Sequence, residues 1–160
     1  KGDDEMIKYI FSLTIIFSAS LCAAQIQGHV IRVLDGDTLE ILQDKKPVRV
    51  RLANIDAPEK KQPFGRWSAT QLKDLVAGKP VTVQYAQTDR YGRILGRVYT
   101  ADGTEANRWQ VRNGAAWVYP DYNNDYTLPP LQRDARALKR GLWADKNPVP
   151  PWTWRKQNKK

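Results

Sequence analysis

The sequence predicts an α+β fold in which three α-helices pack on a small five-stranded antiparallel β-barrel that is closed or partly closed. The chain has 160 residues, which is enough for one domain. Five short runs of β-branched and apolar residues are separated by turn residues. One helical pattern follows the third run and two more follow the fifth, so the order differs from the strand–helix–strand repeat of a parallel sheet.

The five expected strands span residues 28–34, 38–42, 48–52, 81–85 and 94–99. The first two flank Asp35-Gly36-Asp37, which is a strong signal for a hairpin turn. In the third strand, the alternation Val48-Arg49-Val50-Arg51 puts both arginines on one face and both valines on the other. Among small barrels, the oligonucleotide-binding (OB) fold matches this order of strands and helices best.

The three expected helices span residues 63–77, 105–113 and 128–140. The first has Ala69, Leu72 and Val76 on one face and Gly78 as its C-terminal cap. The third has two prolines in its first turn, where the missing amide hydrogen costs little.

These elements predict one OB-fold domain at residues 25–145, followed by a Pro/Trp-rich and basic C-terminal tail at residues 146–160. Within the tail, we expect residues 148–154 to pack on the barrel because they are rich in proline and tryptophan. Residues 155–160 are polar and mostly basic, and we expect them to be solvated.

Residues 1–24 are predicted to contain upstream residues and a secretory signal peptide. Lys8 precedes an apolar stretch that ends in small residues at Ala24, and this stretch is too short for a comfortable membrane span. We therefore expect cleavage after Ala24, export to the periplasm or the medium, and no membrane span in the mature chain. A lipoprotein signal ending at Cys22 is the alternative, but Leu21 is a poor residue for the position before the cysteine.

The composition limits the function classes. The net charge of +9 favours a polyanionic partner such as nucleic acid, anionic lipid or acidic polysaccharide. A single cysteine excludes an internal disulfide and a Cys-rich zinc site, and a single histidine excludes a multi-histidine metal site. His29 lies in an apolar strand-like run and is interpreted as structural. Any metal is then expected to be a hard cation, such as Ca²⁺ or Mg²⁺, with oxygen ligands.

Five charged residues could together hydrolyse a phosphodiester. The reaction needs a nucleophilic water, a group that accepts its proton, and positive charge near the phosphate oxygens. Asp37 and Asp56 offer oxygen ligands, Glu59 offers a base, and Arg51 and Arg93 offer two-pronged contacts to phosphate. Each residue alone has a simpler interpretation, as a turn carboxylate, a charge at a helix start or a surface arginine.

Three segments carry a family resemblance. Residues 33–39, 50–59 and 89–93, the last followed by Leu95-Gly96, resemble the three signature segments of the staphylococcal nuclease family in the same order. Asn107, Val111, Gly114 and Ala116 resemble the helix and turn that follow them, so the resemblance covers about residues 27–143.

The resemblance implies a five-stranded OB-fold barrel with three helices and a calcium-dependent endonuclease that hydrolyses DNA and RNA, leaving 3′-phosphate ends. It implies that Asp37 and Asp56 bind Ca²⁺ through carboxylates and that Ala57 adds its backbone carbonyl. The implied catalytic residues are Arg51, Glu59 and Arg93.

The resemblance also implies substrate contacts at four residues: Arg90, Tyr91, Trp117 and Tyr119. Arg90 stands where the best-known member has lysine, and Trp117 stands where it has the first of two tyrosines. Tyr119 keeps the second tyrosine. Ala57 replaces a threonine, which a carbonyl ligand tolerates.

Two other functions are compatible with parts of the sequence. A non-catalytic OB-fold protein could bind nucleic acid, but a silent relative would lack some of the five charged residues that this chain retains. A basic protein of the membrane surface or cell wall would explain the charge and the export signal but not those five residues. The expected partners are DNA and RNA substrates; no stable protein partner is implied, and we expect a monomer.

Overall fold

The computed structural model describes residues 14–16 and 24–159, and five strands within them form a closed barrel. The barrel strands are β1 (Ala24–Asp35), β2 (Thr38–Gln43), β3 (Lys46–Leu52), β5 (Pro80–Thr88) and β6 (Ile94–Thr100), while β4 (Ile55–Asp56) and β7 (Trp117–Val118) form a separate two-stranded sheet. The order around the barrel is β1-β2-β3-β6-β5, and β5 pairs again with β1. The predicted five-stranded OB-type barrel is therefore confirmed.

The barrel is mixed rather than wholly antiparallel, so this part of the prediction was wrong. β3 and β6 run parallel, with Val50 opposite Ile94 and Leu52 opposite Gly96, whereas the other barrel pairs are antiparallel. The reason is the helix inserted after β3, because it carries the chain across the barrel before the β5–β6 hairpin begins. Strand-forming patterns do not encode the direction in which such a return strand pairs.

Four α-helices lie among the described residues instead of the predicted three. They are α1 (Gly65–Val76), α2 (Ala106–Arg112), α3 (Leu128–Ala137) and α4 (Pro151–Gln157), and a short 3₁₀ turn spans Gly141–Ala144. The fourth helix lies in the expected tail. It begins with a proline in its first turn, a favourable position, but at seven residues it is too short to show a clear apolar period.

The predicted signal peptide lies almost entirely outside the described residues, which omit 1–13 and 17–23. Cleavage after Ala24 therefore stays a prediction. None of the helices in the described part of the chain combines the length and apolarity that a membrane span requires.

The barrel interior is filled by alternate residues of its strands. Leu39 and Ile41 of β2 and Val50 and Leu52 of β3 are fully buried, and Leu72 of α1 covers them. The predicted alternation in β3 is confirmed, since its arginines lie on the opposite face from buried Val50.

Buried Asn107 ties α2 to the barrel near the end of β3. Its Oδ1 accepts a hydrogen bond from the Val98 amide at 3.1 Å, and its Nδ2 donates to the carbonyls of Ala53 at 2.9 Å and Gly96 at 3.0 Å. Three hydrogen bonds from one buried side chain join backbone groups of β6 and of the turn after β3. The turn that follows β3 is held in place by this residue.

Candidate active site

The hairpin turn between β1 and β2 brings the first candidate ligand, Asp37, to one side of the barrel. A Cβ at Gly36 would lie 1.8 Å from Ser68 Oγ, so only glycine permits this close approach to α1. The Gly36 carbonyl accepts a hydrogen bond of 2.7 Å from Gln110 Nε2. The turn is therefore fixed by contacts with two helices.

Asp37 is buried and ionised. Burial alone would raise its pKa, but Arg51 and the hydrogen bonds that Asp37 accepts hold the pKa below its ordinary value. The Ala57 amide donates to Asp37 Oδ2 at 2.7 Å, and Thr38 Oγ1 lies 3.0 Å from Oδ1. The first bond brings the backbone of residue 57 against the Asp37 carboxylate.

Arg51 connects the two aspartates predicted as metal ligands. Its Nη2 lies 3.3 Å from Asp37 Oδ2 and 3.4 Å from Asp56 Oδ1. Its Nη1 donates to the carbonyls of Leu52 at 2.7 Å and Ile55 at 2.8 Å, and the side chain is only 12% exposed. The guanidinium is thus held by the backbone turn and presents its other nitrogen to both carboxylates.

Asp56 ends β4, which is fixed by antiparallel pairing of Asp56 with Trp117 in β7. Its side chain is 1% exposed. Burial raises its pKa above the ordinary value, hydrogen bonding from Arg155 opposes the shift, and the Asp37 charge adds to it.

Glu59 lies on the loop between β4 and α1 and is more accessible than the two aspartates. Its side chain is 41% exposed, and its Oε1 accepts a hydrogen bond from Arg155 Nη1 at 2.9 Å. Its backbone amide donates to Gln62 Oε1 at 3.1 Å. We call Asp37, Asp56 and Glu59 the carboxylate cluster. Two arginines bridge its members: Arg51 contacts Asp37 and Asp56, and Arg155 contacts Asp56 and Glu59.

Arg93 lies next to this region but is engaged elsewhere. It directly precedes Ile94, which pairs with Val50, so its backbone lies beside β3. Its Nε donates to Asp89 Oδ2 at 2.7 Å, and among residues 24–159 it forms no ion pair with the carboxylate cluster. The structure therefore joins Asp37, Arg51 and Asp56 directly and links Glu59 to Asp56 through Arg155, while the backbone of Arg93 lies beside β3.

The other two residues predicted from the 89–93 loop form an exposed cation–aromatic group. The Tyr91 side chain is largely exposed, with the Arg90 guanidinium 4.9 Å and the Arg93 guanidinium 5.4 Å from its ring centre. Asp89 shapes the loop by accepting hydrogen bonds from the amides of Tyr91 and Arg93. The predicted substrate contact of Arg90 and Tyr91 is compatible with this exposure and stays a prediction.

Trp117 and Tyr119, the predicted aromatic contacts, are packed against other rings. Trp117 lies between Trp143, with ring centres 4.4 Å apart, and Trp152, with ring centres 5.6 Å apart. Tyr119 stacks on Trp152 at 5.4 Å with an interplanar angle of 7°. These contacts occupy part of both rings, and substrate contact by the two residues stays a prediction.

Arg155 was expected to be solvated in the tail, but it contacts Asp56 and Glu59. Its Nη2 lies 2.7 Å from Asp56 Oδ2 and its Nη1 lies 3.1 Å from Asp56 Oδ1. The pKa of Arg155 is raised above its ordinary value, mainly by its hydrogen bonds to Asp56, so the guanidinium stays cationic at any accessible pH. The proline-led start of α4 was the available signal for a helix, but nothing local indicates a contact with a residue so distant in the sequence.

Asp35 was predicted only as a residue of the hairpin turn, but it lies against Asp37. Burial and the neighbouring Asp37 carboxylate raise its pKa to about 8. Its Oδ1 accepts a hydrogen bond from the Asp37 amide at 3.0 Å. Asp35 therefore supports the position of Asp37.

The oxygen atoms of Asp37, Asp56 and the nearby backbone are suitable ligands for a hard cation. Two carboxylates approach the same Arg51 nitrogen within 3.4 Å, and the backbone of Ala57 is bonded to one of them. In the described ranges, no three His, Cys, Asp or Glu side chains are arranged as a metal site. A cation here would depend on two aspartates completed by backbone and water oxygens, which Ca²⁺ readily accepts.

The chain is similar in sequence to nucleases over most of its length. The family described as staphylococcal nuclease homologue matches residues 49–145. An uncharacterized endonuclease of Escherichia coli is 61% identical over 150 residues, covering 94% of this chain and 98% of that protein. A micrococcal nuclease of Shigella flexneri is 40% identical, covering 85% of this chain and 84% of that protein. An uncharacterized endonuclease of Haemophilus influenzae is 42% identical over 92% of this chain and 84% of its own length.

Substituting Arg51 by lysine is expected to destabilise the protein by about 3 kcal/mol, because an ammonium cannot satisfy two carbonyls and two buried carboxylates together. The free energy of unfolding from urea denaturation measures this. Arg49→Lys is the matched control: Arg49 lies on the same face of β3, but it is exposed and pairs with Glu40 at the surface. Equal unfolding free energies for the two variants would contradict the structural role of Arg51.

Proposed function

The chain belongs to the staphylococcal nuclease family, and on that premise we propose that it is an exported, calcium-dependent endonuclease that hydrolyses phosphodiester bonds of DNA and RNA and leaves 3′-phosphate ends. The convergence of Asp37, Arg51, Asp56 and Glu59 carries the proposal. Nuclease activity itself is supported by the family match and by relatives named as endonucleases and a micrococcal nuclease.

The proposed cation ligands are the carboxylates of Asp37 and Asp56 and the backbone carbonyl of Ala57. When bound, Ca²⁺ supplies positive charge to the phosphate oxygens. The chain's own part is to hold these ligands in place. Asp37 is fixed by the hairpin turn, Asp56 by the pairing of β4 with β7, and Ala57 by its hydrogen bond to Asp37.

Glu59 is proposed to accept the proton of the attacking water at its carboxylate. It is the most exposed member of the carboxylate cluster, so water reaches it more readily than the buried aspartates. Arg51 and Arg93 are proposed to stabilise negative charge that grows on the phosphate during the reaction. Arg51 is already oriented by two backbone carbonyls, whereas Arg93 would have to exchange its contact with Asp89 for the phosphate.

The proposal that both DNA and RNA are substrates rests on the positive charge of the chain. The chain carries a net charge of +9, which supports binding to the phosphate backbone of either nucleic acid. Direct base recognition is normally made by side chains that enter a groove or stack on unpaired bases. Tyr91 is an exposed ring with two arginine guanidinium groups close to it, and it would stack on bases with little sequence preference.

We expect cation removal to abolish cleavage, because both proposed carboxylate ligands lie in one buried site. Nicking of supercoiled plasmid should require calcium and stop in chelator. Asp56→Asn should lower the rate at a fixed, subsaturating calcium concentration by roughly tenfold or more, since one anionic ligand is lost. Asp74→Asn, on the exposed face of α1, is the matched control and should behave like wild type. Full activity in chelator would remove the cation from the proposal.

Arg93→Gln is expected to lower kcat by about 10²-fold or more, with a smaller change in KM, because the group acts mainly on charge that develops in the transition state. Steady-state kinetics on single-stranded DNA measure both constants, and circular dichroism verifies folding. Arg133→Gln removes a charge from the exposed face of α3 and serves as control. A folded Arg93→Gln protein with normal kcat would show that Arg93 is not part of the site.

Export is proposed from Lys8, the apolar stretch and the small residues that end at Ala24. N-terminal sequencing of the protein recovered from its native host should find Gln25 or a neighbouring residue as the first. An uncleaved product in the cytoplasm would contradict the export proposal and leave the nuclease proposal intact.

A further inference from the structure

Arg155 reaches the carboxylate cluster from a helix that is packed on the domain. Trp152 of α4 stacks on Tyr119 and meets Trp117 edge-on. The segment before the helix is held by a hydrogen bond of 2.7 Å from Gln62 Nε2 to the Val149 carbonyl, and Pro151 is buried. These contacts fix the direction in which α4 presents Arg155.

The Arg155 guanidinium engages both oxygens of Asp56. Nη2 lies 2.7 Å from Oδ2 and Nη1 lies 3.1 Å from Oδ1, which is a two-pronged ion pair. The same Nη1 lies 2.9 Å from Glu59 Oε1, and Nη2 lies 3.4 Å from the Tyr119 hydroxyl. With the Arg51 contact to Asp56 Oδ1 at 3.4 Å, both oxygens of the Asp56 carboxylate are contacted by guanidinium groups.

A divalent cation that binds Asp56 must coordinate the same two oxygens that Arg155 contacts. It would also lie within a few ångströms of the positive Arg155 guanidinium, in a site where the aspartate side chain is 1% exposed. Repulsion between like charges is strong at such distances away from bulk water. Simultaneous occupation of Asp56 by both cations is therefore unfavourable.

We propose that Arg155 is an internal competitor for the cation site: it neutralises Asp56 and Glu59 in the cation-free protein and is displaced when a divalent cation binds Asp56. This inference rests on the proposed cation ligand Asp56. It assigns to α4 the role of setting how much cation the protein needs. The Arg155 side chain is 38% exposed, so it has a path to solvent when it leaves the carboxylates.

Calorimetric titration of the protein with calcium tests the competition directly. Arg155→Gln should bind calcium about tenfold or more tightly than wild type, since the cation no longer has to displace the three charge-assisted hydrogen bonds of Arg155 to Asp56 and Glu59. Lys156→Gln is the matched control: it removes the same charge from the next residue of α4, which is exposed to solvent. Its calcium affinity should stay within about threefold of wild type, because solvent and salt screen its charge.

Equal or weaker calcium binding by Arg155→Gln would overturn the inference, and so would equal gains in both variants, which would indicate a general charge effect.

Thermal unfolding gives a second readout. In chelator, Arg155→Gln should melt below wild type because Asp56 and Glu59 lose a counter-charge, and saturating calcium should close the gap. A gap of the same size in both conditions would mean that Arg155 stays bound beside the cation, which also overturns the inference. If Arg155→Gln does not fold in chelator, Arg155→Lys is titrated instead and should still bind more tightly than wild type, because an ammonium lacks the two-pronged contact.

Plasmid cleavage by the wild-type protein in saturating calcium separates this inference from the proposed function. Cleavage by wild type together with unchanged calcium affinity in Arg155→Gln would refute the competitor role and keep the nuclease. Tighter binding by Arg155→Gln in a protein that cuts neither DNA nor RNA would keep the competitor role and refute the nuclease.

Discussion

The site depends on one buried guanidinium, that of Arg51. Two aspartates approach each other where the barrel leaves little water, and burying unpaired carboxylates costs several kcal/mol each. Arg51 offsets this cost by facing both carboxylates, and its other nitrogen caps the carbonyls of Leu52 and Ile55. The Arg51 side chain therefore stabilises the turn after β3 and lowers the free-energy cost of burying Asp37 and Asp56.

Contacts elsewhere in the fold fix the segments that carry Asp37 and Arg51. The hairpin turn at Gly36 is held against α1 because no Cβ intervenes and because Gln110 binds its carbonyl. Asn107 ties α2 to β6 and to the turn that follows β3. These residues join segments of different elements, and together they fix the turn that carries Asp37 and the turn that Arg51 holds. Such preorganisation matters because a shift of about 1 Å in a catalytic group can cost about 10²-fold in rate.

Local patterns predicted those parts of the structure that local forces determine. The hairpin at residues 35–37 follows from Asp-Gly-Asp, and the faces of β3 follow from the alternation of valine and arginine. The parallel pairing of β3 with β6 was not predictable in this way, because it depends on how α1 returns the chain. Arg155 was missed for the same reason: its contact with Asp56 joins residues 99 positions apart, and a basic residue near a chain end has no local feature that distinguishes a ligand from a solvated charge.

The balance of charge in the cluster explains why an exchange of cations is physically reasonable. Three carboxylates, those of Asp37, Asp56 and Glu59, face two guanidinium groups, so negative charge remains in excess. Replacing a singly charged guanidinium by a divalent cation brings the group closer to neutrality, which favours the cation electrostatically. Displacing Arg155 costs its hydrogen bonds to two carboxylates, and this opposes the exchange. The same helix contact that keeps the cation-free cluster stable thus makes cation binding depend on concentration.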